Sequence, residues 1–430
     1  MSINRKPVPV RLDAGELGLY LLALGLWLNR SLAIAGLLLV CWQSWGERER
    51  LWNNRATRRL IQWLAVWTLS LLLSLGAGWF YAETPMDAHL ESAGRYWLLA
   101  LFPLVGLQLK GEDRRFILVC TFAVLGFVAG RVEHPDVSLL ASPDPWSLKQ
   151  RVGLGLAPIA MGLYAGFCAV VTLVFTPRAL SLMTRPWQRA VVFMALMIIA
   201  AFLLQCMVIS LSRGAWLATL LALAVLIVFF LRRAQRSQGL LMLGAVALIL
   251  AVIGWFNQHA IVDRVGHELG VVQQVLDGDL AEVTAGEGAG VKHSLGARVV
   301  MHQYAWDLWL QRPWLGGGPA AAQTAMRTAD IEDLRYYNDF HNVLLNVLVS
   351  FGLIGLIAMS APMLYLAGRM LQAVRGGVLA IDVLALLTCA ALMILVSVLF
   401  NFRVLNFDWR GWFLLMAGAA VGYLLDRGRD

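Results

Sequence analysis

One histidine and three arginines stand where polar sequence gives way to apolar sequence, and their chemistry sets the first question. His341 lies in NDFHNVLLNVLVSFGLIGL (338–356), immediately before a long apolar run. An imidazole with a reference pKa of ~6.5 can accept a proton near neutral pH. Asp339 and Asp333 are close enough in sequence to orient it or raise its basicity. Arg213 sits in LLQCMVISLSRGAWLATLLALAV, between two apolar stretches with almost no loop. A guanidinium at that depth is costly unless paired, and it marks a functional position by default; the plainer reading is an arginine that snorkels to headgroups. Arg151, with Lys149 two residues before it, stands at the start of RVGLGLAPIAMGLYAGF. Such a pair can hold an anion or simply anchor an interface. Arg298 and His302 are four residues apart in LGARVVMHQYAW and share one face of a helix.

Together these types suit one kind of reaction. Arginines grip phosphate oxygens bidentately. If the ligand is a lipid diphosphate, its tail lies among apolar helices and its headgroup at the surface. Arg213, with Arg151 or Arg298, then stabilises the charge that grows on a diphosphate leaving group. His341 takes the proton from an acceptor hydroxyl, a contribution of typically 10²–10⁴-fold. Other motifs are weaker. Asp277-Gly-Asp279 reads as a turn or cap rather than a metal site. Gly316-Gly317-Gly318 lacks the lysine of a phosphate-binding loop, so ATP-driven chemistry has no support. The histidines lack close ligand spacing, and no cofactor or metal is expected.

The elements that must position these groups are apolar helices. The chain has 430 residues, 59% hydrophobic and 14% charged, against roughly 25% charged in soluble domains. It reads as an all-α polytopic membrane protein with about twelve spans, near 16–29, 31–46, 60–80, 95–110, 116–132, 152–175, 190–211, 214–231, 239–256, 342–367, 381–400 and 411–425. Alternate loops such as RERLWNNRATRR and TPRALSLMTRPWQR are rich in Lys and Arg, while the others carry only scattered residues such as Arg30, Arg95, Arg131, Arg403 and Arg410. The positive-inside rule then puts both termini in the cytoplasm and residues 257–341 outside. The expected organisation is a bundle over 1–256, a helical outer loop over 257–341 and a final set of helices over 342–430. Within the loop, 259–283 has helical apolar spacing. The stretch 294–313 reads as a second helix, with Ser294 as cap and Pro313 beyond its end. The five cysteines fall in apolar runs, which argues against a disulfide framework or zinc site. No cleavable leader is expected, and the net charge of +8 fits basic loops rather than nucleic acid.

SLSRGAWLA, then RVVMHQYAWDLWLQRPWLGGG in the outer loop, then FHNVLLNVLVSFGLIGL, resemble the O-antigen ligase family in content and order. The resemblance runs from about residue 150 to 400. It implies a GT-C-like, metal-independent glycosyltransferase of a bacterial inner membrane, with its site facing the periplasm. The implied donor is an undecaprenyl-diphosphate-linked O-antigen and the implied acceptor a hydroxyl of lipid A-core. The family's essential arginine falls on Arg213, its loop arginine on Arg298, its histidine on His341, and a less specific basic position on Arg151. O-antigen polymerases and protein O-oligosaccharyltransferases share these features. A flippase for the same lipid is a rival of another class, but it should show a central charged cavity and internal symmetry, and no repeat is visible.

Overall fold

The computed structural model describes residues 13–140, 151–232, 236–263, 265–266, 295–331, 334–335, 337–376, 379–401 and 403–426. Among them every regular element is a helix. In chain order these are α1 (Ala14–Leu28), α2 (Arg30–Gly46), α3 (Glu49–Asn53), α4 (Arg55–Tyr81), α5 (Met86–Trp97), α6 (Phe102–Leu109), α7 (Asp113–Val132), α8 (Pro158–Ser181), α9 (Pro186–Ile209), α10 (Arg213–Arg232), α11 (Arg236–Phe256), α12 (Leu295–Gln311), α13 (Ala321–Arg327), α14 (Val343–Arg375), α15 (Ile381–Phe400) and α16 (Phe407–Asp426). The expected helix over 259–283, the Asp277-Gly-Asp279 turn, Ser294, Lys149 and Asp333 lie wholly or mostly outside the described residues.

Eight of the described helices are long and apolar enough to cross a membrane: α4, α7, α8, α9, α10, α11, α14 and α15. Four stretches read as spans from sequence are not among these eight. With 15 residues, α1 is about 22 Å long at 1.5 Å per residue, short of a ~30 Å hydrocarbon core. Asn29 ends it and caps α2, accepting from Ser31 N at 2.9 Å and Leu32 N at 3.3 Å, so the two helices form a tight hairpin. The expected span over 95–110 is broken. A 3₁₀ turn (Leu98–Leu101) precedes α6, which has a proline in its first turn and ends at Lys110 in the left-handed region. The last, α16, is long enough but carries Asp408 and Arg410 in its opening turns.

The most buried span is α8, with 94% of its apolar window inside the bundle; α11 has only 22%. Thus α8 is the axis on which α7, α9, α10 and α15 pack, and α11 belongs to the rim. A second, smaller core ties α12 and α13 to the segment leading into α14. It contains Ala297, Met301, Ala305, Met326, Leu334 and Phe340.

The helix α14 is not continuous. Gly352 has φ +63° and ψ −168°, a conformation open to glycine and not to L side chains. The break exchanges two intrahelical hydrogen bonds for four to the PWLGGGP turn. Leu353 N and Ile354 N donate to the Pro313 and Trp314 carbonyls at 2.8 and 3.2 Å. The freed carbonyls of Val349 and Ser350 accept from Gly317 N and Gly318 N at 2.9 and 3.0 Å. Broken backbone among apolar helices persists only when its polar groups are satisfied by protein, and here they are. A Cβ on Gly352 would stand 2.3 Å from the Trp314 carbonyl carbon.

Candidate functional site

Three consecutive residues place the histidine. Phe340 is fully buried in the small core, where its ring meets Tyr304 edge-on. Asn342 caps α14, its side-chain oxygen accepting from Leu344 N at 2.9 Å and Leu345 N at 3.2 Å. Between this anchor and this cap, His341 is held at φ +51°, a left-handed conformation that costs a non-glycine residue about 1–2 kcal/mol. Such strain survives only where the surroundings over-determine it.

Asp339 completes the hold. Its Oδ1 accepts from the His341 backbone N–H and lies 2.7 Å from His341 Nδ1 as well. A carboxylate at Nδ1 fixes the tautomer with the proton on that nitrogen, which leaves Nε2 as the acceptor. Tyr337 packs edge-on against the imidazole, with centroids 5.3 Å apart.

The imidazole lines a cavity of about 320 Å³ shared by Arg95, Ile159, Gln323, Asn338, Asp339, Asn401, Arg403, Leu405 and Asn406. The wall is polar, assembled from the end of α5, the lead into α14 and the turn between α15 and α16. That size falls within the ~300–1,000 Å³ of small-molecule sites.

The sequence-predicted arginines approach the same place from other helices. Arg298 and His302 share a face of α12, and that face looks toward His341. His302 hydrogen-bonds the Phe340 backbone and is electrostatically coupled to both Arg298 and His341. Burial first, then the Arg298 charge, lowers the His302 pKa, so its ring is neutral at pH 7. Arg213 is the first residue of α10. A cation there opposes the helix dipole. Gly214 next to it packs on Asn401, a cavity residue, with 3.5 Å from its ideal Cβ to Nδ2. The turn before Arg213 is tight, with Leu211 at φ +48°. Trp216 Nε1 ties α10 back to the Met207 carbonyl at 3.1 Å.

Arg151 does not open a helix as the sequence suggests. The chain stays non-helical until Pro158, passing Leu154 and Gly155 in the left-handed region. Pro158 supplies the first helical residue, and the segment ahead of it is bent instead around Arg131, whose guanidinium donates to the Leu154 and Trp27 carbonyls. Arg151 Nη2 donates to the Leu211 carbonyl at 3.1 Å, so Arg151 and the Arg213 turn are neighbours all the same.

Two cavity cations escaped sequence reasoning. Arg95 and Arg403 were visible only as scattered arginines in loops otherwise poor in positive charge. Arg403 Nη2 pairs with Asp408 Oδ2 at 2.7 Å. Arg95 pairs with exposed Glu91, and its carbonyl accepts from Arg410 Nη1 at 3.3 Å.

Residues 198–360 match the family described as O-antigen ligase. The match runs from α9 to the middle of α14 and holds Arg213, Arg298, His302, Asp339 and His341. Arg95, Arg151 and Arg403 lie outside it. No curated protein matches the chain.

Proposed function

We propose that this chain, with its O-antigen ligase family match over residues 198–360, is a ligase that joins O-antigen to lipopolysaccharide at the periplasmic face of an inner membrane. The donor is the polysaccharide on undecaprenyl diphosphate, and the acceptor is a hydroxyl of lipid A-core. The observation that carries the reading is the Asp339–His341 pair on the cavity wall, with Arg298 and Arg213 converging on the same end of the bundle.

His341 Nε2 accepts the hydroxyl proton as the acceptor oxygen attacks the anomeric carbon. Asp339 keeps the ring in the required tautomer and steadies the imidazolium that forms. The bond from that carbon to the diphosphate oxygen breaks in the same step, and its electrons leave with the diphosphate. Arg213, Arg298 and Arg151 take up the growing negative charge, with Lys149 as a further cation for the same group. Guanidinium groups in a partly dry cleft act on charge more strongly than in water. His302 stays neutral and spaces Arg298 from His341. With no protein nucleophile, one displacement inverts the anomeric configuration. The free energy is already in the donor bond, so no nucleotide is consumed.

The test is a reconstituted assay with one donor and three acceptors: lipid A-core, a second lipid-linked glycan, and a pilin-like peptide. Preferred transfer to lipid A-core with inverted linkage supports the ligase. Preference for the lipid-linked glycan would make the chain a polymerase, and for the peptide a protein glycosyltransferase. Movement of the donor across the bilayer with no new glycosidic bond would make it a transporter.

A further inference from the structure

The cavity wall carries two arginines, Arg95 and Arg403, that have no part in holding the proposed leaving group. We infer that the wall built by Arg95 and Arg403 seats an anionic group of the acceptor glycolipid, a phosphate or a carboxylate, and so brings its hydroxyl to His341. This rests on the glycosyl-transfer reading above.

An in-line displacement puts the attacking oxygen and the leaving oxygen on opposite sides of the reacting carbon. The cations assigned to the leaving group enter from α10, α12 and the lead into α8, and they are not among the described residues lining the cavity. Arg95 and Arg403 are, beside His341 itself. A group held by them is on the side of the proton acceptor, which is the acceptor's side.

The two guanidinium groups are also held in a way that suits an anion. The Arg403 side chain is only 15% exposed and is pinned by Asp408. Its buried Nε–H has no acceptor among the described residues. Among the described residues Arg95 is ion-paired only with Glu91, itself 65% exposed, and surface pairs of that kind exchange readily. Arg30 and Arg410 stand behind Arg95, near enough for Arg410 to be repelled by both. Four guanidinium groups thus gather against three carboxylates, Glu91, Asp408 and Asp339, the last of them already held by His341. An anion offsets that imbalance. Gln323, Asn338, Asn401 and Asn406 supply amides between the cations, suited to sugar hydroxyls.

Asp339 and His341, which serve proton transfer, lie inside the family match; Arg95, Asn401, Arg403 and Asn406 lie outside it. The proton-transfer pair is thus part of the matched segment, and the two arginines proposed to seat the acceptor are not.

The experiment measures transfer by full-length protein and by the Arg95→Gln and Arg403→Lys variants. The acceptors are intact glycolipid, the same glycolipid dephosphorylated, and the same with its carboxylates reduced. On intact acceptor, each variant should raise the acceptor KM about tenfold or more, the scale of one lost charge-assisted hydrogen bond, with donor KM unchanged. Wild type should lose a similar factor on one stripped acceptor, and the variants should be indifferent to that stripping. The acceptor that reveals the loss tells phosphate from carboxylate. A raised donor KM, or equal losses on intact and stripped acceptors, overturns the inference. If a variant has no turnover, binding of intact acceptor to the purified, folded variant without donor decides: undiminished binding overturns it. Wild-type transfer indifferent to acceptor charge refutes this inference alone, whereas no transfer to any glycolipid refutes the proposed function beneath it.

Discussion

Two short turns face one another at the His341 end of the bundle, and each presents an arginine. The turn before α10 is made of Ser210, Leu211 and Ser212 and delivers Arg213. It is strained at Leu211 and latched by Arg151 and Trp216. The turn between α15 and α16 delivers Arg403, and an ion pair to Asp408 in the next helix fixes it. The first sets its cation at a helix N-terminus; the second has its cation ion-paired to the following helix. The difference separates two duties in the proposed reaction. Arg213 is set against charge that appears during bond breaking, and Arg403 against charge the acceptor already has.

The largest effect should come from the centre between these turns. His341→Ala is expected to lower kcat by about 10²–10⁴-fold with donor KM little changed. Near-normal turnover in purified membranes would leave neither turn with a reaction to serve. Asp339→Asn should lose less, about tenfold or more, because the tautomer is no longer enforced. The comparison itself is tested by Arg213→Lys beside Arg403→Lys. The first is expected to lower kcat about 10²-fold and the second chiefly to raise acceptor KM; identical kinetic signatures would erase the distinction.

Smaller effects should come from the scaffold. Gly352→Ala meets the Trp314 backbone and is expected to cost about 2 kcal/mol or more through strain at a special backbone position, read as a lower melting temperature. The smallest effect is pH-dependent. Burial lowers the pKa of His302 and of His89, whose Nδ1 accepts from Ala320 N at 3.1 Å. Each is bound neutral in the folded chain, while the unfolded chain takes up protons below ~6.5. Stability should therefore be full above that pH and decline as pH falls below it. Melting curves between pH 7.5 and 5.5 should show a shallower decline for His302→Gln, and an unchanged slope would count against the buried, neutral ring.

Much of this was legible in the sequence because the relevant patterns are local. The long apolar runs forecast most of the spans, and the Arg298–His302 spacing forecast a shared helical face. The Ser-Leu-Ser-Arg turn forecast an arginine at a helix start. Where helix length, a proline or charge enters, as in α1, α6 and α16, apolarity alone gives more spans than the eight long apolar helices among the described residues. The cavity's other wall was illegible for a different reason. Arg95 and Arg403 are some three hundred residues apart, and no periodicity links them. The break in α14 was equally hidden. Its glycine looks ordinary in an apolar run, and the turn that completes it lies in a separate segment.

That break has a consequence for how the chain can change. The main-chain exchange between residues 313–318 and 349–354 closes residues 319–348 into a ring fastened at its base. His341 sits within it, so its position depends on a contour of fixed length. An insertion before Pro313 leaves the ring untouched. One extra residue between Asn342 and Val349, in the first turns of α14, must displace the imidazole or undo the fastening. Natural variation in length should therefore spare those residues, and a scan of single-residue insertions would trace where the constraint begins and ends.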